Sequence, residues 1–442
     1  VSRLNNDSAS ESSTSPNESN GVVESLLPET GDVKHDPYRA WRFRNFRLLF
    51  VGMFVAAIGE QMLQVALGWD LYERTHSALV LGGVGLFLFV PAVFFTLPAG
   101  HIADRYNRKR IVLVTLAVLA LGSLVLTWLS YVQGSIWLIY GCLLVMGTAE
   151  AFNNPASSTM LPLLVPDDVF ENAATWSSSS WQLASMLGPG LGGLLIALTG
   201  NGTAIYALNV VTALVFVVLM ACIHIQRKQI QAGEQTTWRS VIEGLSFLRR
   251  TQVMLAAITL DLFAVLLGGA TTLLPIFASS ILHVGPVGLG WLRAAPSFGA
   301  IVVALFLAHR PPFQKAGRTL LLAVAGFGIA TIAFGFSRNI WLSFVMLLLL
   351  GGLDNISVVI RNTLALTRTP DEMRGRVAAV NGLFVNASNQ LGGFESGVTA
   401  QFFGPVLSVV GGGIGTILVV LFVSLIWPEM RRLGTLRTPD AE

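Results

Sequence analysis

Apolar stretches about twenty residues long recur along the chain, each closed by a short polar break. A helix needs roughly 20 predominantly apolar residues to cross the hydrocarbon core of a bilayer. Residues 111–131 and 203–223 are the plainest instances. The pattern predicts membrane-crossing helices over 46–72, 79–100, 110–131, 136–157, 171–198 and 203–224, and again over 253–281, 287–308, 318–336, 340–362, 376–402 and 407–427. The expected fold is an all-α membrane protein with twelve transmembrane helices in two six-helix bundles. An even number of crossings puts both chain ends on one side.

Composition agrees with this reading. Of the 442 residues, 53% are hydrophobic and 12% charged, whereas a soluble domain carries about 25% charged residues. Cys142 and Cys222 both sit inside apolar runs, without His or Cys at metal-ligand spacing, so neither a disulfide framework nor a metal site is expected. No phosphate loop, catalytic triad or metal motif is present. The reading is therefore of a non-enzyme that needs no cofactor and binds no nucleic acid.

Charge orients the chain. Of the 28 Lys and Arg, 22 fall in segments on one side of the predicted spans, while the loops on the other side hold only Arg74 and Arg338. The basic side is expected to be cytoplasmic. Residues 1–36 contain seven acids against two bases, Arg3 and Lys34, a composition that favours disorder. The expected organisation is a disordered tail (1–38), a first bundle (39–225), a linker with an amphipathic helix along the inner surface (226–252), a second bundle (253–428) and a tail (429–442).

The bundles echo each other. With a shift of about 205 residues, Pro91 falls on Pro296 and Arg105 on Arg310. With a shift of 204, Glu150 falls on Asp354 and the Pro166–Asp167 pair on Pro370–Asp371. A paired intramembrane acid and a paired Pro-Asp turn point to duplication of one six-helix unit in parallel orientation. Such repeats place a substrate site between the halves near the midplane, with access alternating by rocking.

Several segments carry a family likeness. GHIADRYNRKR (100–110) resembles the loop between the second and third helices of the major facilitator superfamily, and MLGPGLGGLL (186–195) resembles its exporter-associated fifth-helix motif. GEQMLQVALGWDLYERTHSALVLG (59–82), AFNNPASSTMLPLLVPDDVFENAA (151–174) and the stretch from Arg361 to Gly397 are similar to the bacterial branch of enterobactin exporters and macrolide efflux pumps. The resemblance covers residues 40–430. It implies a secondary active transporter in the bacterial inner membrane, monomeric and multi-pass, with both termini cytoplasmic, exporting a drug- or siderophore-class molecule in exchange for protons. It also implies that Gly100, Asp104, Arg105, Arg108 and Lys109 latch the two halves together on the cytoplasmic side. Gly188, Pro189, Gly192 and Gly193 of the fifth helix form a small-residue packing face. His309 stands where a second copy of Asp104 would be, so that copy should latch weakly.

Ionisable residues inside the membrane are costly and mark functional candidates. Glu60, Glu150, Asp261 and Asp354 are the candidate proton carriers, because removal from water disfavours a charged carboxylate and lets it exchange protons near neutrality. Asp354 shares a helix face with Arg361, and a fixed structural pair between them is the competing reading. The superfamily's frequent helix-four arginine is missing from residues 136–157, which puts its usual coupling scheme in doubt. Candidate cavity residues are Gln61, Gln64, Trp181, Gln182, Arg361, Asn386, Asn389 and Gln390. Arg293, near the outer end of helix eight, has two readings, attraction of an anionic substrate or snorkelling to the headgroups, and snorkelling is preferred. Glu395 points away from the Asn386–Asn389–Gln390 stripe and is set aside. The alternatives to a proton-driven exporter are a lysophospholipid or lipid flippase on the same fold and a non-transporting sensor or scaffold.

Overall fold

The computed structural model describes residues 36–224, 238–311 and 313–435. The side chains of Leu97, Asp104, residues 238–241 and Asp371 lie outside that description. Most of the expected tail 1–38, the first part of the linker and the last residues of the chain therefore fall outside the described residues. Among the described residues no strand is found, and long helices follow one another by short turns.

The first six are α1 Arg44–Thr75, α2 Ala78–Arg105, α3 Arg108–Tyr131, α4 Ile136–Ser158, α5 Asp167–Thr199 and α6 Thr203–Cys222. A short helix, α7 Trp238–Arg250, precedes α8 Gln252–Ile281, whose turns become irregular beyond Leu267. Then come α9 Gly285–Ala308, α10 Ala316–Phe336, α11 Ile340–Arg368, α12 Asp371–Phe403, α13 Pro405–Ile426 and the terminal turn α14 Pro428–Arg432.

Helix ends obey local chemistry. Asn107 ends the turn between α2 and α3 by accepting a hydrogen bond from the Arg110 backbone N–H at 3.3 Å, the usual service of an Asn at an N-cap. Pro166 and Pro370 precede α5 and α12, each 33 residues long. Asp167 and Asp168 place negative charge in the first turn of α5, where the helix dipole favours it. The repeated Pro-Asp turn thus starts the same long helix in each half. Several helices outrun their apolar spans. The charged residues at 101–105, 167–171, 363–368 and 371–375 remain helical beyond them, since a helix does not stop where the membrane does.

Among the described residues eleven helices are long and apolar enough to cross a membrane, which makes the chain a multi-pass membrane protein. α12 matches its counterpart α5 in length but carries Asn386, Asn389, Gln390 and Glu395 along its course, and is not among the eleven.

Packing repeats between the halves. In the first, α1 packs on α5 and α6, α4 on α2 and α3, and α3 on α6. In the second, α8 packs on α12 and α13, α11 on α9 and α10, and α10 on α13. Each relation in one half has its counterpart seven helices later. The halves then meet through α2 against α12 and α5 against α9, again an equivalent pair.

The apolar core is divided unevenly. On the side away from the basic loops, called the far side below, one cluster unites both halves, with Leu67, Leu81 and Ile205 joined to Leu274, Leu289 and Phe334. On the basic side the first half keeps its own cluster around Leu49, Val112 and Met220. The second half keeps another around Leu260, Leu320 and Val423. The halves are thus fused by a common core at one end and carry separate cores at the other.

The predicted amphipathic helix in the linker is α7, and it is docked on protein. Glu243 pairs with Arg376 of α12 at 2.7 Å, Gly244 lies against the Arg376 backbone, and Leu248 is buried in the second half's core.

Candidate functional site

α1 and α4 deliver the two acids of the first half. Glu60 lies sixteen residues into α1, about 24 Å along its axis. Its carboxyl group meets that of Glu150 from α4 within hydrogen-bonding range. Both residues keep partial accessibility although they stand in the middle of the fold. Two bare carboxylates at such range repel strongly unless a proton lies between them.

The second half solves the same problem with a cation. Arg361 of α11 forms an ion pair with Asp261 of α8 at 2.5 Å, with the two side chains only 10% and 7% exposed. Arg361 also donates to Ser357 Oγ at 3.3 Å. The competing reading of a fixed Arg361–Asp354 pair gives way to a pair with Asp261. Two turns of helix separate those residues on α11, whereas Asp261 faces Arg361 directly from the neighbouring element. Asp354 remains within electrostatic reach of both charges.

The remaining candidates separate. Gln61 donates to Ser185 Oγ of α5 at 3.3 Å and lies beside Gly188, so it serves packing inside the first half. Gln64 instead looks across to the second half, where its Oε1 accepts a hydrogen bond from Arg293 Nη2 at 2.7 Å. Arg293 does not snorkel. Its guanidinium turns into the seam between α9 and α1. Trp181 is exposed, with Gln182 half-buried beside it on α5. Asn386 and Asn389 are exposed on α12, and Asn389 donates to its own helix at the Val385 carbonyl, 2.8 Å away. Gln390 contributes its carbonyl to the contact with α2 beside Gly85.

The fifth-helix motif works by closeness. Gly188 and Gly192 rest against α1, and Gly193 rests against Gly290 of α9. Gly82 and Gly397 make the equivalent approach between α2 and α12. Hydrogen bonds on the same far side add to this seam, from Tyr72 to Ser280 at 2.7 Å, from Ser279 to Glu73 at 2.9 Å and from Ser77 to Gln401 at 3.0 Å.

Of the loop motif, Gly100 lies within α2 and Arg105 is exposed. The side chain of Asp104 is outside the described residues. Lys109 donates to the Ala221 and Ile223 carbonyls at 2.9 and 2.6 Å, closing the C-terminal end of α6, where a cation is favoured. Arg108 reaches the Ala103 carbonyl at 3.3 Å. These contacts bind the loop to its own half.

Sequence reasoning missed one cluster. Asp70 pairs with Arg74 at 2.8 Å and accepts from Ser130 at 3.2 Å and Tyr206 at 3.4 Å. Arg74 belongs to the last turn of α1 rather than to a loop, and the i,i+4 spacing in "DLYER" was the available signal.

Known proteins share this architecture. A bacterial homologue of the human lysosomal transporter Spinster, in an inward-facing and occupied conformation, superposes with a TM-score of 0.69 at 14% identity, covering 90% of this chain and 98% of its own. The nucleoside transporter NupG (D323A mutant) gives 0.66 at 13% identity, with 87% and 99% covered. In sequence, macrolide efflux protein A of Streptococcus pyogenes is 25% identical over 84% of this chain and 92% of its own length. The multidrug efflux pump Tap of Mycolicibacterium fortuitum is 25% identical over 89% and 98%. The enterobactin exporter EntS of Escherichia coli O1:K1 is 26% identical over 88% and 92%. The sequence profile of the transmembrane secretion effector family matches residues 36–434, and the chain belongs to that family of major facilitator membrane transporters.

Proposed function

We propose that this chain is a proton-coupled exporter of a small organic molecule, working by alternating access. It sits in a bacterial inner membrane as a monomer, with both termini in the cytoplasm and α12 as a twelfth crossing. The carrying observation is the Glu60–Glu150 carboxyl pair, which stands midway along the first half, between helices that also frame the seam. The far-side closure supports a state open towards the basic, cytoplasmic side. Substrate enters from that side. Rocking about the shared core then exposes it to the far side, where it leaves and a proton joins the acid pair. Return of the empty carrier delivers the proton inward. The efflux functions of the sequence relatives support the direction. Asp261, Arg361 and Asp354 form the second half's charged centre, held neutral overall by one further proton.

The test uses inverted membrane vesicles containing the full chain, with a radiolabelled macrolide and a panel of dyes as probes. Export predicts accumulation inside vesicles whose lumen is acidified. The variants Glu60→Gln and Glu150→Gln are each expected to lose gradient-driven accumulation while keeping exchange of preloaded for external probe. Accumulation that survives collapse of the pH gradient rejects proton coupling.

A further inference from the structure

Arg293 is a cation placed where the proton scheme has no use for one. It lies eight residues into α9, about 12 Å from the helix start. It continues the face on which Gly290 touches Gly193 of the first half. Leu289, Leu292 and Ala295 around it are fully buried in the shared core, which fixes the helix that carries it. Its guanidinium has five N–H donors. Among the described residues it makes one hydrogen bond, to Gln64, a neutral acceptor, and no ion pair. The side chain retains accessible surface, so its other donors are not sealed against protein. An unpaired guanidinium at such a depth is strongly disfavoured unless something answers its charge.

Gln64 lies one turn from Glu60 on the same face of α1. Arg293, Gln64, Glu60 and Glu150 therefore follow one another, the first two facing each other across the seam and the acids lying inside the first half. A fork of donors stands at one end and a proton-carrying acid pair at the other.

We infer that Arg293 and Gln64 form an anion subsite, and that the preferred ligand is an organic anion with an apolar body whose carboxylate or phenolate oxygen occupies the free edge of the guanidinium. Arg suits this task because its planar fork matches a carboxylate edge-on. The inference deepens the exporter reading and rests on it for the claim that the bound anion is cargo. Placed at the base of the far-side seam, the subsite holds the ligand where opening of α5 from α9 releases it.

The experiment is equilibrium binding of 1-naphthoate and its neutral isostere 1-naphthamide to the purified full chain. Wild type is expected to prefer naphthoate by about tenfold or more. Arg293→Gln should bring the two affinities together by weakening naphthoate alone. Gln64→Glu keeps the arginine and gives it a carboxylate within the protein. It should abolish the same preference, and it decides the matter if the arginine variant does not fold. Equal affinities in wild type overturn the inference, as does a preference that survives in both variants or a loss shared equally by both probes. A preference without any flux in wild-type vesicles would uphold the subsite and reject the exporter, and gradient-driven flux without the preference would do the reverse.

Discussion

Substituting Gly397→Ala tests whether the far-side seam is a movable closure. A Cβ at this position would stand 2.5 Å from the Cα of Gly82 and 2.8 Å from the Ala78 carbonyl oxygen. Carbon atoms pack best at about 3.5–4.0 Å, so α2 and α12 must part by roughly 1 Å. The obstacle is backbone, which cannot rotate aside. Overpacking of a fitted contact costs about 1–3 kcal/mol. The cost falls on the far-side-closed state alone, and shifts the equilibrium towards the open one by about 5- to 150-fold. An open state present at about 1 part in 100 would rise to between about 5 and 60 parts in 100. The assay is the distance distribution between spin labels at Gln133 and Arg338, exposed loop positions of the two halves on the far side, with Cys142 and Cys222 replaced. Gly397→Ala should add a longer-distance population. Gly382→Ala, on the same helix with nothing within 4 Å of its Cβ position, should not. The same distribution in Gly397→Ala as in wild type, with normal folding, would refute the reasoning.

Two further outcomes are expected. Arg361→Gln should destabilise the protein by about 3–5 kcal/mol, because it leaves the buried Asp261 carboxylate without its cation, and Asp261→Asn by less, because Asp354 stays within electrostatic reach of Arg361. The double variant should recover more than half of the larger loss in thermal unfolding in detergent, and simple addition of the two losses would remove the pair from the account. Glu243→Gln should loosen α7 from α12 and speed cleavage between α7 and α8 in limited proteolysis, whereas Glu429→Gln, an acid of α14 outside that ion pair, should leave the rate unchanged.

Much of the architecture was legible because bilayer thickness imposes one length on every crossing. The apolar runs located the helices, and the repeated Pro-Asp turn and the Glu150–Asp354 equivalence announced the duplication that the packing of the halves repeats. Partners were less legible. Arg361 shares a helix face with Asp354, yet Asp261 takes the ion pair from a helix a hundred residues earlier. Gln61 and Gln64 look alike in the sequence, and only the placement of α5 and α9 sends one into packing and the other across the seam. Arg293 looked like a snorkelling residue because distance from a helix end is all that sequence offers. Its direction is set by the close approach of Gly290 to Gly193, a contact between segments nearly a hundred residues apart.

The far-side closure is built chiefly from glycine backbone and aliphatic side chains. A membrane potential exerts no direct pull on such groups. Voltage does work only on charge displaced through the field, about 2.3 kcal/mol per elementary charge per 100 mV. Voltage sensitivity of the rocking motion therefore resides in the charges that move with the halves, namely the protons of the glutamate pair and of the Asp261–Arg361–Asp354 centre, the Arg293 guanidinium, the Glu73 carboxylate at the seam and whatever charge the cargo brings, while the glycine and aliphatic contacts themselves remain electrically silent.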